Sequence, residues 1–238
     1  MLHAMLAARV VMRPWLHQNS TMDLARSTAL RRGVRLEVVT IAWMFVEAIV
    51  ALGAGIAARS VLLTAFGVDS VVELLSGIVL YRRLAGESNH AATVDVERLE
   101  NLTTRISAVL LVLLCAYVLL SSLAGLVFRV IPEGSVVGVA VTLVAVIAMP
   151  LLARAKHGVN RVVDSPSLRA DIAETISCAY LGAVTLAGLA VSMLTGWWWF
   201  QYVAALALLV WLVPEAREAL EHWRDNWAEK GGEGIRNE

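Results

Sequence analysis

Six runs of roughly 20 apolar residues constrain this chain more than any other feature. They fall near 36–57, 61–81, 106–128, 135–153, 171–194 and 197–213. A helix needs about 20 such residues to cross roughly 30 Å of hydrocarbon, and in lipid only helices and closed barrels satisfy their own backbones. Runs of this length leave almost no chain for strands. The 58% hydrophobic share over 238 residues and a mean hydropathy of +0.69 also exclude an ordinary soluble globule. The expected fold is therefore all-α, a polytopic membrane protein with six transmembrane helices. The last run is the shortest, but it opens on Trp197, Trp198 and Trp199, whose indoles favour the headgroup level.

Charge placement predicts the orientation. With both termini cytoplasmic, the outside loops are those near 58–60, 129–134 and 195–196, and all but Arg59 and Arg129 of the 20 Lys and Arg fall inside. That asymmetry predicts an even number of spans in a plasma membrane, a bacterial inner membrane being the expected one. The organisation that follows is a cytoplasmic N-terminal arm with an amphipathic lead-in helix at 1–35, a six-helix domain at 36–213 and a short cytoplasmic tail at 214–238. The opening 1-MLHAMLAARVVM-12 is a poor signal peptide, because Arg9 interrupts it and no small-residue cleavage site follows. Translation starts at Met1 or at Met22. Cys115 and Cys178 lie inside spans, so no disulfide framework is implied.

Against this apolar background the acids stand out. In 63-LTAFGVDSVVELLSGIVLYRR-83, Asp69 and Glu73 interrupt a run otherwise fit for lipid. A carboxylate at the centre of a span costs about 2.5–3.5 kcal/mol on insertion scales, so such residues usually face a bundle interior and mark an ion or substrate path. Four residues apart, the two share one helix face, about 5–6 Å apart at Cβ. Bare, they would repel. A proton or a cation must neutralise them, and one divalent cation serves both.

The fifth run carries a second stripe. In 168-LRADIAETISCAYLGAV-184, Asp171, Glu174 and Cys178 fall at i, i+3 and i+7. Asp171 sits near the cytoplasmic end, either as a first-turn charge suited to a helix N-terminus or as an entrance acid reached by water. Cys178 alone reads as a small buried hydrophobe, but its stacking over Glu174 favours a ligand. Two helices that each offer ligands at i and i+4 can enclose a four-coordinate ion. Tetrahedral zinc suits that count, and a thiolate turns the preference away from Mg²⁺ and Ca²⁺. The expected metal ligands are Asp69, Glu73, Glu174 and Cys178. Asp171 with Glu174 is the alternative completion.

These residues also carry a resemblance. The segments 53-GAGIAARSVLLTAFGVDSVVELLSG-77 and 168-LRADIAETISCAYLGA-183 are similar to the second and fifth spans of the cation diffusion facilitator family, six-helix carriers that exchange Zn²⁺ and related divalent ions for protons. Gly55, Ser60, Leu62, Leu63, Asp69 and Glu73 match the family's layout. Glu174 and Cys178 fall where its His and Asp usually stand, and Glu73 replaces a usual Asp. The resemblance implies divalent-metal efflux, Zn²⁺ as transported substrate, proton antiport by alternating access and a homodimer. The family's soluble C-terminal domain is expected to be missing, only 214–238 following the last span. Carboxylates and a thiol must lose protons to hold a metal, which makes metal and proton competitors for one site.

Other residues read less sharply. Glu47, midway along the first span, is either a second proton carrier supporting the site or a protonated packing acid. His157, in the basic stretch 154-RAKHGVNRVVD-164, and His90 read as solvated loop residues. His222, Trp223 and Trp227 read as a helix lying on the membrane surface. No Gly-rich phosphate loop, serine nucleophile motif or HExxH occurs. The expectation is a carrier in the lipid bilayer and not an enzyme, with no prosthetic group and no nucleic-acid partner. Its rivals are a non-transporting scaffold with a degenerate site and an intramembrane metal enzyme, for which Arg169 is the one basic residue near the acids.

Overall fold

In a computed structural model the described backbone, residues 2–89 and 94–234, is helical apart from short turns. Side chains are described for 26–86, 102, 105, 106, 108–165 and 167–221. The helices are α1 (Leu2–Ala57), α2 (Val61–Asn89), α3 (Val94–Val127), α4 (Val136–Val163), α5 (Pro166–Thr195) and α6 (Trp199–Gly234). Five of them, α1 to α5, contain segments long and apolar enough to cross a membrane. The sixth adds the shorter apolar stretch that begins at its Trp anchor. The all-α polytopic architecture expected from the runs is the one observed. The side chains of His90, His222, Trp223 and Trp227, and the choice between Met1 and Met22, lie outside the described residues.

The helices outrun the apolar runs. At 28 residues α4 is about 42 Å long, well over the hydrocarbon thickness, so its last turns project beyond the lipid core. This corrects one sequence expectation: 154–163 is not a basic loop but the end of α4. The reason is visible in its periodicity. Val141, Ala145, Met149, Ala153, Lys156, Asn160 and Val163 form one buried stripe that crosses the apolar limit unbroken. The helix stops at Asp164, which adopts the left-handed conformation at φ 51°, and Pro166 then opens α5 at its first turn. At the other end Ser135 caps α4 by accepting from the Gly138 amide at 2.9 Å.

Packing centres on α2, which touches α1, α3, α5 and α6. Two glycines bring α1 and α2 close. A Cβ built on Gly67 would lie 2.7 Å from the Leu52 amide nitrogen, and one on Gly55 would lie 2.7 Å from that of Thr64. The turns at the α1–α2, α3–α4 and α5–α6 end are tied together. Ser60 donates to Gln201 at 2.8 Å, Tyr202 to the Val130 carbonyl at 2.8 Å, and the Glu133 amide to the Ala58 carbonyl at 2.8 Å. The main core gathers Met44, Leu62, Phe66, Met149, Leu181 and Leu208, and a smaller one at the opposite end holds Leu84, Val159 and Leu168. Large apolar side chains such as Leu120, Leu194 and Val210 face outward, as they do in lipid.

Candidate metal centre

The site forms midway along α2 because its two acids lie on the face that packs against α5. Asp69 is 4% exposed and sits one turn from Glu73, while Cys178 is fully buried on the facing side of α5. One ligand atom from each of these three residues lies within 4.8 Å of the others. Glu73 Oε1 is buried and has no hydrogen-bond partner, so one lone pair points at nothing the protein supplies. None of Asp69, Glu73 and Glu174 forms an ion pair with a described Lys or Arg. Burial without a counter-ion is the costly arrangement that a bound cation relieves.

Glu47 of α1 closes the site from behind. It is fully buried, accepting from Ser70 Oγ at 2.8 Å and from the Trp43 indole nitrogen at 2.5 Å, with Cys178 Sγ 3.6 Å from the same oxygen that Ser70 engages. Ser70 stands next to Asp69, so Glu47 holds both α2 and α5 at the height of the candidate ligands. Its three donors fix it in one place.

Two expected residues stand elsewhere. Glu174 is not within the group of three. One turn nearer the α4–α5 connection, it lies beside Ser76 and within the electrostatic reach of Asp171 and of Glu215 on α6. Asp171 is not a water-reached entrance acid either. It is 7% exposed, and its Oδ2 lies 2.6 Å from Lys156 Nζ, the amine that also pairs with Glu37 of α1 at 3.2 Å. The physical reason is helix length: α4 continues past the apolar limit and delivers Lys156 to the acid. Its Oδ2 is committed to that ammonium rather than to the α2 acids.

Sequence reasoning missed Glu37, Lys156, Ser70 and Glu215. A signal existed for the first two. Glu37 shares a buried stripe with Thr40, Met44, Glu47 and Ala51, and Lys156 shares one with Met149 and Ala153. For Glu215 the break at Pro214 concealed it, because α6 continues through that proline.

Residues 38–221 match the family model for the cation efflux transmembrane domain. The chain belongs to the cation efflux family. No curated protein matches it. Members of the cation efflux family are transporters of divalent cations rather than enzymes, and the match runs from α1 into α6, across every residue of the centre. In this cation efflux protein the one Arg that an enzyme would have used, Arg169, is largely exposed and faces Asp164 at 3.8 Å, away from the acids.

Proposed function

We propose that the chain carries Zn²⁺ across the membrane in exchange for protons, holding the ion at Asp69, Glu73 and Cys178. The observation that carries this reading is the convergence of one ligand atom from each of the three within 4.8 Å, Asp69 and Cys178 buried and Glu73 partly so, with the buried Glu73 Oε1 unbonded. Two carboxylates and a thiolate give a donor set softer than Mg²⁺ or Ca²⁺ prefers and well suited to Zn²⁺ or Cd²⁺. Three protein ligands leave a fourth position open for water or for Glu174 to approach, and an open position favours release as well as capture.

Exchange follows from the same donors. Each must be free of its proton to bind the metal, so loading from one side expels protons and reprotonation on the other expels the ion. Glu47 receives or steadies the Cys178 proton in that cycle. Small residues at the α1–α2 contact let the helices slide between two accessible states. The cytoplasmic side is taken as that of both termini, from the distribution of Lys and Arg.

The test is Zn²⁺ uptake into proteoliposomes under an imposed pH gradient, with Asp69→Ala beside the wild type. Gradient-dependent flux that the variant lacks supports the reading. A folded wild type that moves none of Zn²⁺, Cd²⁺, Co²⁺, Fe²⁺ and Mn²⁺ overturns it in favour of a scaffold.

A further inference from the structure

The Lys156 cluster contains one charge too few. Its ammonium lies 2.6 Å from Asp171 Oδ2, 3.2 and 3.4 Å from the two oxygens of Glu37 and 3.5 Å from Thr175 Oγ1. Those partners use its three protons. Glu37 is fully buried, Lys156 is 1% exposed and Asp171 is 7% exposed, so water does not screen the group. Two carboxylates against one ammonium leave a net negative charge in a place where an uncompensated charge is strongly penalised.

Among the described residues, Lys156 is the one cation paired with these two acids. Glu37 faces α2 at Gly77, where a built Cβ would lie 3.9 Å from Oε2, and its electrostatic neighbours on α4 and α5 are Lys156 and Asp171. The next titratable group, Glu174 one turn along α5, adds another negative charge. The geometry locates the missing positive charge. Both carboxyl groups converge on the one ammonium, Asp171 Oδ2 at 2.6 Å and Glu37 Oε1 at 3.2 Å from Nζ, so two buried acids share a single counter-ion. Two carboxylates brought this close in a buried place keep it when one of them holds a proton.

We infer that Glu37 and Asp171 share one bound proton beside Lys156, forming a proton site built from α1, α4 and α5 and separate from the metal ligands. The proton resides on Glu37, the acid with the longer contacts to the ammonium, and is donated to Asp171. The site is a seat for the exchanged proton apart from the metal centre. That role rests on the carrier reading, whereas the existence of the site does not.

Infrared spectroscopy of the reconstituted full chain in metal-free neutral buffer tests it through the C=O stretch of protonated carboxyl groups. Glu37→Gln is expected to lose the band area of one carboxyl. Asp171→Asn is expected to lose the same, because Glu37 then keeps the ammonium to itself and ionises. Lys156→Met is expected to gain one, since both acids must then be neutral. Band areas equal to wild type in Glu37→Gln and Asp171→Asn overturn the inference. No metal is present in the measurement, so a wild type unable to transport Zn²⁺ would remove the carrier reading and leave this result standing.

Discussion

Two groups of inward-facing acids lie in the same bundle, and they differ in whether a described residue supplies a cation. Among the described residues no Lys or Arg pairs with Asp69 or Glu73, and the buried Glu73 Oε1 has no hydrogen-bond partner. Glu37 and Asp171 have Lys156 at 2.6 to 3.4 Å. An acid pair with its own ammonium needs only one proton for neutrality and ties three helices together. A pair without one stays costly until something arrives, which is what a transport site requires. Residue type alone does not separate the two groups, since both are Asp and Glu facing inward. The lysine makes the distinction.

The sharpest way to break the comparison is to remove one acid from each group. Asp69→Ala is expected to abolish Zn²⁺ transport, lowering affinity by more than the about 10–100-fold that a supporting residue of a metal site costs. Asp171→Ala should leave Zn²⁺ affinity within that range while it lowers stability. Isothermal titration of the purified variants checks both. Equal losses of affinity would mean that the two groups are one site, and the distinction drawn from Lys156 would fail.

Lys156→Met attacks the other group. Breaking a buried ion pair by removing one partner costs about 3–5 kcal/mol, because the acid left behind must stay uncompensated or take up a proton. Unfolding of the detergent-solubilised variant should show a loss of that order, and adding Glu37→Gln and Asp171→Asn should recover most of it. A Lys156→Met protein as stable as wild type would show that the cluster does not clamp α1, α4 and α5. Cys178→Ser changes selectivity rather than stability. Replacing the thiolate by a hydroxyl should lower the preference for Cd²⁺ over Mn²⁺ by about 10–100-fold, measured by competitive binding. An unchanged preference would take Cys178 out of the ligand set.

How much of this was legible in the sequence depends on distance along the chain. The helical architecture follows from the lengths of the apolar runs, and Asp69 with Glu73 is conspicuous because charge inside such a run has few explanations. Cys178 became a candidate through its spacing from Glu174, although it is the cysteine and not the glutamate that reaches the α2 acids. Glu37 and Lys156 were missed for a different reason. Cutting the spans at hydrocarbon length assigned Lys156 to a loop and left Glu37 unremarked at the start of the first run, and pairing partners 119 positions apart needs the packing of α1 against α4, which no local pattern encodes. Their inward stripes were readable, their meeting was not.

The smallest expected effect sharpens the comparison from outside. Arg169 pairs with Asp164 at 3.8 Å, both side chains largely exposed, beside the buried Lys156–Asp171 pair and at the same end of the bundle. Exposed pairs are screened by water and contribute about 0–1 kcal/mol. Arg169→Ala should therefore change stability by no more than that, and Zn²⁺ uptake by less than the scatter between reconstitutions. The same charge sign at neighbouring positions would then give the largest and the smallest stability effects in the chain, separated only by burial and by the acids each cation faces. A large loss of uptake in Arg169→Ala would instead make this arginine part of the path, and would reopen the phosphate-handling chemistry that its outward position argues against.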